Sequence, residues 1–101
     1  MTKPLPPLPK YLRLEAASVV VTLSKPTEFN GVTSDTISLR APTVRDIRAA
    51  STTANGDEEQ AELNLFASLA EVGTKDLEGM ALKDYTRLQT GYFRLVHDDG
   101  I

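Results

Sequence analysis

The dipeptide Asn30-Gly31 constrains the N-terminal half of this chain more than any other feature. Apolar and polar residues alternate before it, over residues 17–23, and Ile37 and Leu39 repeat the alternation after it. A period of two is typical of a half-buried strand. Asn-Gly suits the positive φ angles of a type I′ turn. The sequence therefore predicts a β-hairpin over about residues 17–40.

The register of this hairpin predicts an irregularity in one strand. A two-residue loop would place Leu23 opposite Ser38 and turn the apolar faces of the two strands to opposite sides. One extra residue in one strand would instead set Leu23 against Ile37 or Leu39 and restore a single buried face. Pro26 has no N–H to give to a ladder, so we expect the bulge there.

Four of the six prolines lie in the first nine residues. Their fixed φ angles and missing N–H groups favour extended polyproline geometry. We predict a flexible arm over residues 1–14, joined to the body through Tyr11, Leu12 and Leu14, and one domain over residues 15–98. Docking of the arm on a proline-recognising partner is the less favoured alternative.

After Pro42 the spacing of apolar residues becomes helical. Thr43 and Asp46 have the spacing of a capping box, and Gly73 is placed to end a later helix as its C′ residue. The predicted helices span about residues 44–51, 57–72, 75–79 and 81–97. The fold class is therefore α+β, with an N-terminal β-hairpin followed by three or four α-helices in a single small domain.

The two longer helices carry apolar stripes, in which centre and edge predict different roles. The residues at the stripe centres, which we expect in the core, are Leu65, Leu69, Leu82 and Leu88. Phe66, Tyr92 and Phe93 lie towards the stripe edges, where aromatic side chains often serve as interface hot spots. We predict that these three residues bind a partner.

The residue types that carry chemistry are sparse. There is no cysteine and one histidine, His97, which excludes thiolate and histidine-pair metal sites and suits a helix end. The acidic clusters at residues 57–59 and 98–99 fit solvated helix ends better than paired catalytic carboxylates. The glycines form no phosphate-binding loop. We therefore predict no catalytic, cofactor-binding or metal-binding residue, and no enzyme.

The charge distribution argues against nucleic acid and membrane partners. The formal net charge is -3, and the basic residues form no dense patch that would release counterions from DNA. Arg40, Arg45 and Arg48 cluster around the first predicted helix, on a face expected to lie opposite Val44 and Ile47. No apolar stretch approaches the ~20 residues of a membrane span. We expect a cytoplasmic protein, with a DNA-binding regulator as one alternative.

The order and spacing of the motifs over about residues 19–96 carry a family resemblance. The motifs are Val21-Thr22-Leu23-Ser24-Lys25-Pro26, Asn30-Gly31, Ile37-Ser38-Leu39-Arg40-Ala41-Pro42-Thr43, Asp46-Ile47-Arg48, Thr74-Lys75-Asp76-Leu77, Met80, Asp84-Tyr85, Leu88 and Phe93. In this order they resemble the tail assembly chaperone family of Mu-like phages and prophages. The proline-rich arm and Ala41, where the family often has an acidic residue, depart from it.

The resemblance implies a non-enzymatic chaperone that binds the phage tape measure protein and keeps it soluble before the tail tube polymerises. A long helical chain with exposed apolar stripes aggregates unless something covers those stripes reversibly. The implied location is the cytoplasm of the bacterial host, and a second copy of the chain is a further possible partner. A structural tail component of the virion is the other alternative.

Overall fold

A three-stranded antiparallel sheet precedes four helices in the computed structural model, which describes residues 5–97. The strands are β1 (Leu12–Glu15), β2 (Ser18–Phe29) and β3 (Val32–Arg40), in the order β1-β2-β3. The helices are α1 (Val44–Ala54), α2 (Glu58–Ala70), α3 (Thr74–Glu78) and α4 (Leu82–His97). The predicted α+β class is confirmed. Pro4 and the acidic pair at residues 98–99 lie outside the described residues.

The turn between β2 and β3 is the one that Asn30-Gly31 predicts. Both residues have positive φ angles, 53° for Asn30 and 79° for Gly31. Phe29 and Val32 close the loop as opposed partners. Positive φ at both central positions is the signature of a type I′ turn, which matches the twist of the flanking strands.

The bulge in β2 lies where Pro26 predicts it, but it is larger than one residue. Thr27 lies opposite Ser34, whereas Thr22 lies opposite Thr36. Residues 23–26 of β2 therefore span the interval that Asp35 alone spans in β3. The predicted pairing of Leu23 with Ile37 or Leu39 is wrong, because the larger shift sets other residues of β2 against them.

The buried carboxylate of Asp84, on α4, explains the size of this bulge. The backbone N–H groups of Ser24 and Lys25 both donate to it, at 2.7 and 3.2 Å. Burial raises the pKa of Asp84, but the hydrogen bonds from Ser24 and Lys25 outweigh burial and leave the pKa below its usual value. A carboxylate that accepts several backbone N–H groups stays charged, so the bulge supplies donors that a regular strand would give to β3.

The strand β1 corrects the prediction of an arm through residue 14. Leu12 lies opposite Val21 and is buried in the core. The preceding segment also contacts the body, because the Arg94 guanidinium donates to the carbonyls of Pro6 and Pro7 at 2.7 and 3.5 Å. The sequence did not predict β1, because a strand of four residues has only two inward positions. Two apolar positions are too few to show an alternation of apolar and polar residues beside a run of prolines.

Helix α1 begins as predicted but continues to Ala54, three residues beyond its predicted end at residue 51, and Asn55 ends it in a left-handed conformation. Helix α2 also ends differently from the prediction. The capping box is confirmed: Thr43 Oγ1 accepts from the Asp46 N–H at 3.2 Å, and Asp46 Oδ2 accepts from the Thr43 N–H at 2.8 Å. Glu71, with φ 58°, ends α2, so the prediction that Gly73 does so is wrong. The side-chain amide of Asn30 donates to the Glu71 carbonyl at 3.0 Å, which stabilises the left-handed conformation of Glu71.

The core lies between one face of the sheet and the helices α2 and α4. Leu65, Leu69 and Leu88 are buried in it as predicted, but Leu82 is 80% exposed. Asp84, Leu88 and Gly91 occupy one face of α4, and Leu82 lies two residues before Asp84. Two residues correspond to about 200° around a helix, so the face that buries Asp84 turns Leu82 towards solvent.

Replacing Asp84 by asparagine is expected to destabilise the fold by about 2–3 kcal/mol at pH 7, because the variant loses charge-assisted hydrogen bonds. Since the folded state lowers the pKa of Asp84, its contribution is complete above the unfolded pKa of about 4 and is lost as the pH falls through the folded pKa. Urea denaturation of both proteins over a pH series measures this. Asp35→Asn, at an exposed position, is the control. A difference that stays constant down to about pH 2 would contradict the assignment.

The same variant is expected to change amide hydrogen exchange locally. The amide protons of Ser24 and Lys25 are protected by the Asp84 carboxylate and not by pairing with β3. In Asp84→Asn the free energy of opening at these two amides should fall by more than the free energy of global unfolding. For the other amides of β2 and β3 it should fall only by the loss of global stability. Uniform changes across β2, measured by NMR, would show that the bulge is held by something else.

Candidate functional site

The three predicted partner-binding residues occupy different environments. Phe66 is 1% exposed and belongs to the core, so the prediction that it lies at an accessible stripe edge is wrong. Tyr92 is half-buried, with its ring centroid 5.2 Å from that of Phe66. Phe93 is 48% exposed and contacts the ring of His97. Tyr92 and Phe93 therefore remain accessible to a partner. Phe66 is not accessible, and its ring packs against the buried side of the Tyr92 ring.

A groove between α1, α2 and α4 contains two of these residues. We call it the tyrosine groove; its volume is about 330 Å³, and it is lined by Ile47, Ala50, Ser51, Glu58, Ala61, Glu62, Leu65, Phe66 and Tyr92. Ile47 is 47% exposed and belongs to this lining. The small side chains of Ala50 and Ala61 leave room between α1 and α2. The lining is mainly apolar, which suits an apolar ligand surface.

A second groove lies on the other side of α2, towards α3 and α4. We call it the glutamate groove; its volume is about 490 Å³, and it is lined by Glu59, Glu62, Leu63, Leu77, Glu78, Met80, Leu82, Tyr85 and Gln89. Leu77 and Met80 are buried, and Glu59 and Glu78 are exposed. The groove thus combines apolar and acidic lining residues.

Glu62 belongs to the lining of both grooves. Its Oε1 atom accepts from the Tyr85 hydroxyl at 2.7 Å and from the Gln89 amide at 2.8 Å. Burial, together with the hydrogen bond to Glu62, raises the pKa of Tyr85 well above its usual range, and burial also raises the pKa of Tyr92. Both phenols therefore stay protonated near neutral pH, and Tyr85 orients Glu62 as a donor. The sequence pattern gave no signal for this role of Glu62.

The predicted basic cluster is divided by an ion pair. The two terminal nitrogens of Arg40 donate to Asp46 at 2.8 and 3.0 Å. The Arg40 guanidinium holds the pKa of the Asp46 carboxyl far below its usual range. Arg45 and Arg48 line a shallow concavity that also includes Val44, so the prediction that Val44 lies opposite them is wrong. Val44 and Arg48 are four residues apart on a helix, which places them on one face.

The remaining polar positions agree with their predicted structural roles. Asp57 caps α2 by accepting from the Gln60 N–H at 3.1 Å, and Glu58 and Glu59 follow in the first turn. His97 is the last residue of α4. Within residues 5–97, no group of three or more histidine, aspartate or glutamate side chains could hold a metal ion. No helix in this part of the chain is long and apolar enough to cross a membrane.

Comparison with known protein families gives a match over most of the chain. Residues 20–97 match the model of a family described as phage tail assembly chaperone proteins, E, or 41 or 14. No curated protein and no solved structure matches the chain. The matched range includes β2 from residue 20 onwards, β3 and all four helices of the described residues. The narrower resemblance to Mu-like phages stays a prediction.

The different environments of Phe66 and Phe93 lead to opposite expectations for their alanine variants. Phe66→Ala removes a buried aromatic side chain and should destabilise the domain by about 3–5 kcal/mol. Phe93→Ala should change stability by less than about 1 kcal/mol, because half of the side chain is already in water. Thermal or urea denaturation compares the two variants directly. Equal losses for both would show that Phe93 also packs in the core.

Proposed function

The chain belongs to the phage tail assembly chaperone family, and we propose that it binds the phage tape measure protein and keeps that protein soluble until the tail tube polymerises around it. The chain acts as a binding protein without catalysis, in the cytoplasm of the bacterial host where the tail proteins are made. Its partner is a long, largely helical chain whose apolar stripes aggregate when they are exposed to water.

The tyrosine groove is the observation that carries this proposal. It lies between three helices and offers an apolar lining with Tyr92 in one wall and the half-exposed Ile47 in another. An amphipathic helix binds such a groove by laying its apolar residues along it, which covers the stripe without covalent chemistry. The many weak contacts of this binding mode can be reversed when the tail tube subunits arrive.

Tyr92 and Phe93 are the residues that we expect to contact the partner. Tyr92 combines a broad apolar ring with a hydroxyl that tolerates water, the mixture that is common at interface hot spots. Phe93, the next residue of α4, extends the apolar surface towards His97. Phe66 forms part of the groove lining but is too buried to contact a partner directly, and its contribution is to hold the ring of Tyr92.

We expect Tyr92→Ala and Phe93→Ala each to weaken binding to the tape measure protein by about 1 kcal/mol or more. The measurement is co-purification after co-expression, followed by titration of the soluble complex. Val32→Ala is the matched control, because Val32 is an exposed apolar residue at the hairpin turn and away from both grooves. Circular dichroism and the melting temperature identify any variant that binds less because it is partly unfolded.

Three results would count against the proposal. The first is that the wild-type chain fails to keep co-expressed tape measure protein in the soluble fraction. The second is that Tyr92→Ala and Phe93→Ala both bind as well as Val32→Ala. The third is that the chain occurs in stoichiometric amounts in purified phage particles. The last result would favour the structural tail component. Steeply salt-dependent binding to duplex DNA would favour the regulator instead.

A further inference from the structure

We propose that the glutamate groove binds a cationic amphipathic helix, whose apolar stripe covers Leu77, Met80 and Leu82 while its lysine or arginine residues pair with the carboxylates around the groove. This inference deepens the proposed function and rests on it, because it specifies the chemistry of a tape measure helix that this face receives. The tyrosine groove supplies the apolar contact already described. The glutamate groove adds a requirement for positive charge.

The apolar part of the groove has the form that a helix needs. α2 contributes Leu63 to one wall, and α4 contributes Leu82 and Tyr85 to the other. The buried side chains of Leu77 and Met80 also belong to the lining. Leu82 is 80% exposed although it lies on the first turn of a structured helix. A leucine so exposed beside a concave apolar surface gains most from a partner that covers it.

The charge of the groove determines which helix fits. Glu59, Glu62 and Glu78 line it, whereas no lysine or arginine belongs to the lining. Among the described residues 5–97, no ion pair involves any of these three carboxylates. An acidic helix would be repelled, and a neutral helix would bury carboxylates without partners. A cationic helix supplies the missing partners.

Glu62 is already oriented for this contact. The Tyr85 hydroxyl and the Gln89 amide both donate to Oε1, which leaves Oε2 without a hydrogen-bond partner in the described part of the chain. Holding a carboxylate in place before binding lowers the entropy lost when a cation pairs with it. An arginine or lysine of the partner would therefore meet an oriented acceptor. Its charge-assisted hydrogen bond to Glu62 would be stronger than its attraction to a carboxylate that moves freely on the surface.

The test uses two synthetic helical peptides of about 18 residues, long enough to span about 27 Å. Both carry the same leucine stripe and a fluorescent label, and lysines flank the stripe in one peptide and glutamates in the other. Fluorescence anisotropy measures their binding to the full chain at about 0.1 M ionic strength, where the Debye length is about 10 Å. We expect the lysine peptide to bind the wild-type chain at least about tenfold more tightly.

The variants separate the groove from general electrostatic attraction. Glu59→Lys combined with Glu78→Lys should reverse the preference, whereas Glu28→Lys combined with Asp35→Lys makes the same charge change on the hairpin and should retain it. Leu82→Ser should weaken binding of the lysine peptide. NMR shifts of the bound wild-type chain should centre on Leu63, Met80 and Leu82, and all variants should keep the wild-type melting temperature within a few degrees.

The inference is wrong if both peptides bind the wild-type chain equally, if the hairpin variant also reverses the preference, or if the NMR shifts lie away from the glutamate groove. It is also wrong if a second copy of the chain fills the groove with its Val44, Arg45 and Arg48 face. Sedimentation would then show self-association of the wild-type chain, and the double variant Glu59→Lys with Glu78→Lys would abolish it. If that double variant retains full co-purification of the tape measure protein while Tyr92→Ala loses it, the proposed function stands and this inference fails. If the wild-type chain binds the lysine peptide but no tape measure protein, the proposed function fails, and only the preference of the groove for a cationic helix stands.

Discussion

The hydrogen bonds between the Asp84 carboxylate and the N–H groups of Ser24 and Lys25 determine how the helical part of this molecule meets the sheet. A charged group with essentially no exposed surface must have partners, because leaving it unpaired would cost several kcal/mol. The bulge of β2 provides those partners, and in doing so it fixes both the position and the rotation of α4. Leu88 and Gly91 then lie against the sheet, while Leu82 and Phe93 lie on accessible surfaces.

Further contacts fix α4 and α1 to the sheet. Arg87 of α4 donates to the Thr22 carbonyl at 3.0 Å and lies over the ring of Tyr11, which links the helix to β2 and to the residue just before β1. At the other end of the sheet, the pair of Arg40 and Asp46 joins β3 to α1. With α1 and α4 both fixed to the sheet, α2 has a neighbour on each side. The two grooves are the spaces that remain along those sides.

The sequence could predict the features that depend on local backbone chemistry. Asn30-Gly31 and the pair of Thr43 and Asp46 act within a few residues, so their structures follow from residue type alone. The features that it could not predict depend on contacts between distant residues. Glu71 adopts a left-handed conformation beside the Asn30 side chain, and Phe66 is buried because the ring of Tyr92 packs on it. A helical stripe shows which residues are apolar, but it does not show which edge a later helix will cover.

Gly91 has a consequence for the dimensions of these grooves. A Cβ atom at this position would lie 3.0 Å from Val21 Cγ2 and 3.2 Å from Leu12 Cδ2, closer than ordinary van der Waals contact. The side chains of Val21 and Leu12 therefore pack directly against the backbone of α4 at Gly91, and a side chain at this position would push the helix away from the sheet. Because α4 forms one wall of each groove, such a shift would also change the width of both grooves. A buried position that no partner touches thus controls the shape of the surface that a partner meets.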